Sequence, residues 1–512
     1  MFRKSYTAVL KFFETYYWFF FGAACLVLAF YCFRCLDVQY VDSWDEARHG
    51  VNAYEMIKNG DYIRHTYNYQ VDDWNLKPSV SYWAIVLGFR LFGYGVFGLR
   101  FFSALAYLLT GVCTGLFARR YSKEASVLVL GFFCANTRPL SAHLARAGDA
   151  DALYLLFFTL AMLAMFRIRE NRKQVYVCGL MFSLAFLTKS WHAGMIAVIG
   201  FVYLLVSREL FRFRFREWAG FLGAVFGPLV FWFGWRFSRD GFFFLRQMIE
   251  VDLLARTGSG NFEGHQYPFS FYYDTVFGHE EFIYRWLILI CILGAAAGLA
   301  LMIRKKAWNR KACEEGFGYL LWFLIPFLGF SLIRSKLIWY CYPCTVPLFL
   351  GAAIVLGYVL RLPLILPEGM QERRKGELVS AFAWIAAAGC IFLTVHFMWN
   401  TYLTVIRGAK GNGFQLFVKE SVERDSVYAG RRAYVTADNE KPENVGTWDQ
   451  NMLFVAEIYG DFHCEDGGTE GFLREKRPAV LYLSREWYKE CRAELADMEV
   501  LYENEGYVLL GN

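Results

Sequence analysis

Long apolar segments recur through residues 1–400 of this chain, and short charged loops separate them. A run of about 20 apolar residues is long enough to cross the hydrocarbon core of a bilayer as a helix. Hydrophobic residues occupy 56% of the 512 positions, which is too many for a soluble protein of this length. We therefore predict a polytopic membrane protein. Its spans are predicted at 16–36, 98–118, 124–142, 150–168, 174–188, 190–207, 217–236, 283–304, 316–333, 338–361 and 379–400.

Clusters of Lys and Arg mark every second loop between these segments. Because basic loops stay in the cytoplasm, this pattern predicts a cytoplasmic N-terminus and an odd number of spans. The segment 79–93 is too short to be one of them, so we expect it to be re-entrant or interfacial. The first apolar stretch lacks a small-residue cleavage site and is interpreted as an anchor. The basic loops lie at 3–11, 119–123, 167–173, 208–216, 304–311 and 361–375.

The composition changes after about residue 401, where charged residues become more frequent and apolar runs shorten. Residues 433–436 and 479–483 are predicted strands, and Phe414 to Glu423 and Glu486 to Met498 are predicted helices. We therefore divide the chain in two. Residues 1–400 form a transmembrane domain with outer-face loops at 37–97 and 237–282, and residues 401–512 form an extracytoplasmic α/β domain.

Charge and cysteine content limit the partners of the chain. The net charge of +6 comes from Lys and Arg in short loops, so we predict no nucleic-acid partner. Most of the 13 cysteines lie in apolar segments, where they act as small hydrophobes. Only Cys464 and Cys491 lie in the polar tail, where a disulfide is chemically feasible.

The loop from Val41 to Pro78 combines carboxylates, cations and aromatic residues. Ser43 followed by Glu46 matches a capping box, and Gly60 lies where a helix would end. We predict an amphipathic helix on the membrane surface, with Asp45, Glu46 and Arg48 in its first turns. An equally weighted alternative is that Glu46 only caps this helix and Asp45 only complements its dipole.

Further charged residues lie at the ends of apolar segments, all on the predicted outer face. Charge at this depth is costly, which makes each of them a candidate for function. Simple alternatives remain for several: Asp149 or Asp151 as a helix cap, Lys189 as a snorkelling lysine and His265 as a surface histidine. These candidates are Lys77, His143, Arg146, Asp149, Asp151, Lys189, His265, Arg334, Lys336 and Tyr340.

These residue types suit sugar transfer from a polyprenyl phosphate. A carboxylate would take the proton of the acceptor hydroxyl, and cations would stabilise the departing phosphate. Arginine binds phosphate through paired hydrogen bonds, whereas lysine acts as a point charge. A second carboxylate would bind a neighbouring cation or a metal.

The chain resembles the protein O-mannosyltransferase and aminoarabinose-lipid A transferase superfamily of membrane glycosyltransferases. The resemblance covers roughly residues 10–400, and its motifs occur in the same order. The matching motifs are Asp45-Glu46-Ala47-Arg48, Asn59-Gly60-Asp61-Tyr62, Lys77-Pro78 with Tyr82-Trp83, residues 145–153 with Arg146, Asp149 and Asp151, Leu187-Thr188-Lys189, Glu263-Gly264-His265, and Ser335-Lys336 with Tyr340.

This resemblance implies the GT-C fold, a mainly α bundle with about 11–13 spans. It also implies inverting transfer of a hexose or pentose from an undecaprenyl-type monophosphate in the cytoplasmic membrane, with Asp45 as general base. The acceptor would be a lipid such as lipid A, a cell-envelope glycan or a protein. The implied site has two parts. Its catalytic group is Asp45, Glu46, Asp149 and Asp151, and its donor-phosphate group is Arg48, Lys77, Arg146, Lys189, Lys336 and Tyr340.

A divalent metal near His265 is also implied by the resemblance, but Leu76 stands where the aminoarabinose transferases usually have glutamate. That substitution weakens the metal hypothesis unless Asp72 or Asp73 replaces the missing ligand. A transporter or flippase of lipid-linked sugars is the alternative function, although we find no inverted repeat. A third hypothesis makes the C-terminal domain the working part of a membrane-anchored sensor or assembly subunit.

Overall fold

The computed structural model describes residues 2–255, 264–365, 374–437 and 445–512. The apolar segments are helical, as they must be where lipid offers no hydrogen bonds to the backbone. The helices up to the tail are α1 Phe2–Thr15, α2 Tyr17–Phe33, α3 Trp44–Asn59, α4 Val80–Phe92, α5 Val96–Ala118, α6 Lys123–Cys134, α7 Thr137–Ser141, α8 Asp151–Met165, α9 Gln174–Lys189, α10 Gly194–Val206, α11 Phe215–Asp240, α12 Phe243–Gln247, α13 Tyr284–Lys305, α14 Arg310–Leu332, α15 Thr345–Ile365 and α16 Arg374–Thr401.

Each predicted span falls on a helix, and the fold class is confirmed, but the number of long spans is lower than expected. Within the described residues, seven helices are long and apolar enough to cross a membrane, or eight if α1 and α2, bent by 72°, form one span. The difference arises because α6 and α8 have only 12 and 15 residues, and because α9 and α10 are counted as one continuous segment. These two helices nevertheless run in opposite directions, since Arg169 before α9 pairs with Glu209 after α10 at 2.9 Å. Helix α4, with 13 residues, is too short to count as a membrane span, as expected for the segment 79–93.

Helix α3 begins and ends where the sequence indicates. The Ser43 hydroxyl accepts a hydrogen bond from the backbone N–H of Glu46 at 3.3 Å, and Gly60 adopts a left-handed conformation with φ 66°. The predicted exposure is different, because α3 does not lie open on a surface. Asn52 and Glu55, on its polar side, are fully buried.

The tail folds around a five-stranded sheet with strand order β4-β3-β5-β7-β6. Strand β3 is parallel to β4 and β5, whereas β7 is antiparallel to β5 and β6. The second predicted helix is shorter than expected and ends at Glu490. The elements of the tail are α17 Gly413–Arg424, β3 Arg432–Thr436, α18 Gln450–Gly460, β4 His463–Cys464, α19 Gly468–Arg474, β5 Ala479–Ser484, α20 Arg485–Glu490, β6 Glu499–Glu503 and β7 Tyr507–Gly511. All thirteen cysteines are free, including Cys464 and Cys491.

The tail covers the polar side of α3, and one hydrophobic core joins the two. A Cβ atom added at Gly50 of α3 would lie 2.2 Å from the ring of Phe454 in α18, so the two helices approach closely here. A hairpin between α3 and α4, formed by β1 Thr66–Tyr67 and β2 Gln70–Val71, also reaches the tail. The Asn68 amide donates to the carbonyl of Cys464 at 3.1 Å.

We expect Gly50→Ala to lower the melting temperature of the purified protein by several degrees, because the Phe454 ring is fully buried and cannot move aside. Gly223→Ala is the matched control, since a Cβ at that helical glycine meets nothing within 4 Å. Alanine there should be neutral or stabilising by about 1 kcal/mol. Equal melting temperatures for both variants, measured by intrinsic fluorescence, would contradict the close approach of α3 and α18.

Candidate active site

Charged residues from distant parts of the chain meet beside the first turns of α3. The carboxylate of Asp149, in the loop between α7 and α8, lies at their centre and is only 2% exposed. Its Oδ2 is 3.1 Å from Nδ1 of His143, and its Oδ1 is 3.7 Å from Nε2 of His49 and 3.9 Å from Nζ of Lys77. Asp149 is therefore surrounded by three nitrogen groups from three segments.

These contacts set the charge states of the group. Burial alone would raise the pKa of Asp149, but Lys77 and the hydrogen bond with His143 hold it well below its ordinary range. Burial opposes protonation of His143, yet its bond to Asp149 raises the His143 pKa. Burial and the charge of Lys77 lower the pKa of His49 to about 4. At neutral pH, Asp149 is thus ionised and His49 is neutral.

Asp45 belongs to the same group. One ligand atom from each of Asp45, His143 and Asp149 lies within 4.8 Å of the others. Burial raises the pKa of Asp45, but the nearby charge of Lys77 outweighs this effect and leaves the pKa below its usual value. Asp45 is therefore an ionised carboxylate that can accept a proton or a cation.

Glu46, the neighbour of Asp45, has a different environment. Its two carboxylate oxygens accept hydrogen bonds from Nε and Nη2 of Arg100, at 2.6 and 2.8 Å. The backbone N–H of Gly148 also donates to Glu46 at 2.7 Å. The capping box is therefore only half formed, because this side chain joins α3 to α5 and to the loop that carries Asp149. Glu46 was predicted to belong to the catalytic group, but its carboxylate is instead occupied by Arg100 and Gly148.

The two arginines predicted to contact the donor phosphate bind other parts of the protein. Arg48 is paired with Asp72 through two hydrogen bonds of 2.9 and 2.7 Å, and its guanidinium faces the rings of Tyr67 and Trp74. Arg146 donates to four backbone carbonyls at the end of α2. Both arginines therefore stabilise the loops, in contrast to Lys77.

A second set of predicted residues lies where α9 meets the segment 338–344. Lys189 forms a buried ion pair with Asp151, and its Nζ lies 5.1 Å from the centre of the Tyr340 ring. In the same segment, Trp339 stacks on His143 with a centroid separation of 3.6 Å. Trp339 thus connects this set to the group around Asp149.

Lys336 and His265 lie next to each other. The backbone N–H of Lys336 donates to the carbonyl of His265 at 3.0 Å, and its Nζ donates to the carbonyls of Tyr267 and Ile333. Burial lowers the pKa of Lys336. His265 is not part of any candidate metal group within the described residues, and Glu263 lies outside them.

The donor set Asp45, His143 and Asp149 could hold a metal ion. Two carboxylates and an imidazole suit a divalent cation such as zinc or manganese. The predicted ligand, His265, is not among them. The residues His49, Arg100 and Trp339 were not among the predicted site residues, and Asp72, considered as a replacement metal ligand, instead pairs with Arg48. Only His49 carried a signal, since it follows Asp45 by four residues and so shares its helix face.

Comparisons with known proteins find relatives in both sequence and fold. The family model described as dolichyl-phosphate-mannose-protein mannosyltransferase matches residues 76–235. The structure superposes on a crystal structure of ArnT from Cupriavidus metallidurans bound to undecaprenyl phosphate, with a TM-score of 0.64, 18% identity and coverage of 96% and 97% of the two chains. The chain has the GT-C fold.

Two further relatives support this GT-C assignment. An undecaprenyl phosphate-alpha-4-amino-4-deoxy-L-arabinose arabinosyl transferase from Pseudomonas fluorescens is 26% identical over 68% of this chain, which spans about three fifths (61%) of that relative. The oligosaccharyltransferase of Archaeoglobus fulgidus, in a structure with Zn and sulfate, matches with a TM-score of 0.50 and 12% identity, over 93% of this chain and 69% of that one. The predicted superfamily resemblance is confirmed.

We expect Glu46→Ala to destabilise the protein by about 3–5 kcal/mol, because it leaves Arg100 charged and buried without its partner. The measurement is the melting temperature in detergent. Glu423→Ala, which removes an exposed partner of Lys419, should change stability by less than about 1 kcal/mol. An unchanged melting temperature together with lost activity would instead indicate that Glu46 acts directly in chemistry.

Proposed function

We propose that this protein transfers a sugar, with inversion, from a polyprenyl monophosphate to an acceptor on the outer face of the cytoplasmic membrane. The observation that supports this most is the meeting of Asp45, Lys77, His143 and Asp149 at one end of the helices. The names of the relatives support a lipid-phosphate donor. The acceptor is a lipid such as lipid A, an envelope glycan or a protein.

Asp45 is the general base in this proposal. Its carboxylate is ionised because Lys77 and His143 lie close to it, so it can take the proton of the acceptor hydroxyl as the sugar bond forms. Asp149 is buried and already bonded to His143. We therefore propose that Asp149 positions Lys77 and His143 around the donor. Asp151 has the corresponding role for Lys189.

Lys77 is the first contact for the donor phosphate in this proposal. Its side chain is 21% exposed, whereas those of Lys189 and Lys336 are buried. A lysine ammonium stabilises the negative charge that develops on the departing phosphate. Lys189, Lys336 and Tyr340 complete the phosphate side, and Arg48 supports it through the Asp72 hairpin.

The proposal also assigns each part of the chain to one side of the membrane. The basic loops between the helices lie on the cytoplasmic side, while the group around Asp149 and the domain at 401–512 lie on the extracytoplasmic side of the domain at 1–400. An acceptor exposed outside the cell membrane would then reach Asp45 without crossing the bilayer.

We also propose that Asp45, His143 and Asp149 bind a divalent cation. The donor types fit, and a relative with the same fold has been crystallised with zinc. A bound cation would add positive charge beside the donor phosphate. Lys77 already neutralises part of this carboxylate charge, so the residues retain their proposed roles in binding and proton transfer without it.

We expect Asp45→Asn to lower transfer by about 10²–10⁴-fold, because the amide cannot accept the proton. The measurement is the transfer of radiolabelled sugar by purified enzyme in liposomes, together with binding of the donor lipid, which should persist. Asp42→Asn, at an exposed position before the same helix, is the control and should keep normal activity. Normal turnover by Asp45→Asn would refute the base assignment.

We expect Lys77→Ala to weaken donor binding about tenfold or more, since a charged hydrogen bond to phosphate is lost. The same change should move the acid limb of the activity profile to higher pH, because the charge of Lys77 lowers the pKa values of Asp45 and Asp149. Donor affinity and the pH profile are measured beside Lys476→Ala, an exposed lysine of the tail. The phosphate role is excluded if affinity matches that of this control.

A further inference from the structure

Two glutamates face each other where helix α3 packs on α18. Glu55 lies on α3, Glu457 lies on α18, and both residues are fully buried. The two carboxyl groups are within hydrogen-bond range of each other. They lie one turn beyond the contact between Gly50 and Phe454, in the interface that joins the membrane domain to the tail.

Protein donors compensate these carboxyl groups only in part, because the Thr66 hydroxyl and the Tyr69 backbone N–H both bond to Glu55 and not to Glu457. One oxygen of Glu55 accepts a hydrogen bond from the backbone N–H of Tyr69 at 2.9 Å. In the described residues, no donor reaches the other oxygen of Glu55 or either oxygen of Glu457. A buried carboxylate without donors is strongly unfavourable, and a proton between two carboxyl groups removes this cost.

The surrounding groups add negative charge rather than positive charge. The lysine and arginine of α3, Lys58 and Arg48, are already paired with Asp461 and Asp72. The hairpin contributes no cation that faces the pair. The other titratable groups around it are Tyr54 on α3, Tyr67 and Tyr69 on the hairpin, Asp449 and Asp461 at the ends of α18, and Cys464 with His463 on β4.

We propose that Glu55 and Glu457 share a single proton, and that this carboxyl–carboxylate hydrogen bond fixes the active-site helix α3 on the C-terminal domain. The bond adds to the other contacts between these two segments, which include the hydrogen bonds of Tyr54 and Lys58 to Asp461. Loss of the proton would leave two buried negative charges that repel each other. Both glutamates are positioning residues, because they act on Asp45 through the helix that carries it.

The chemistry gives the pH dependence a definite sign. Burial, followed by the charge of Glu55, raises the pKa of Glu457 well above its ordinary value, and burial raises that of Glu55. A group that binds its proton more tightly in the folded state stabilises that state at low pH. This contribution is complete below the ordinary glutamate pKa of about 4.3 and disappears as the pH rises through the raised pKa.

The variant Glu457→Gln distinguishes the effect of the titrating proton from the effect of the hydrogen bond itself. The amide donates to Glu55 at every pH, so the variant keeps the contact without the titration. We expect the melting temperature of the full-length wild-type protein in detergent to fall by several degrees between about pH 5 and about pH 9, and that of the variant to fall clearly less. Glu470→Gln, at an exposed position of the same domain, should retain the wild-type slope.

The variant Glu55→Gln removes the same shared proton by a change on the other helix. It replaces Glu457→Gln as the test if that variant fails to fold. Because the pair holds one proton, each single variant should remove the same part of the slope, and the double variant should remove no more. A wild-type slope in both single variants, or additive effects in the double variant, would overturn the proposal. So would a melting temperature that rises with added zinc or calcium only when both glutamates are present, since a cation would then bridge them.

Discussion

The ion pair between Glu46 and Arg100 is the interaction on which the rest of this site depends. It is almost fully buried, and it joins the first turn of α3 to the transmembrane helix α5. Arg100 also donates to the carbonyls of Leu36, Gln39 and Tyr40, so the chain that enters α3 is fixed by the same side chain. Since Gly148 binds the same carboxylate, the neighbouring Asp149 is placed against Asp45 by one contact.

The charged groups around Asp149 compensate one another's burial. A buried carboxylate is costly alone, and so is a buried lysine or a protonated histidine. Together they form a compensated group in which Asp149 and Asp45 remain ionised while His49 remains neutral. In the proposed reaction, Lys77 of this group would bind the donor phosphate and Asp45 would accept a proton. That combination is what sugar transfer from a phosphate requires.

The sequence predicted the helices, the start and end of α3 and the tail strands, because apolar run length, capping residues and Gly60 are local signals. It did not predict which charges pair. Arg48 and Asp72 are 24 residues apart, and Glu46 and Arg100 are 54 apart, so no periodicity relates them. The exposure of α3 was also misjudged, since its polar side is covered by residues about four hundred positions later. The site assignments for Asp45 and Lys77 stay proposals.

The covering of α3 by the tail has a consequence for biogenesis. The Asn451 side chain binds the carbonyl of Asp42, and Asp461 binds Tyr54 and Lys58, across separations of more than four hundred residues. During synthesis the helix bearing Asp45 therefore remains incompletely packed until the last segment of the chain has been made. A chain released early would insert its spans normally and still lack an ordered site, so maturation itself would keep unfinished molecules inactive.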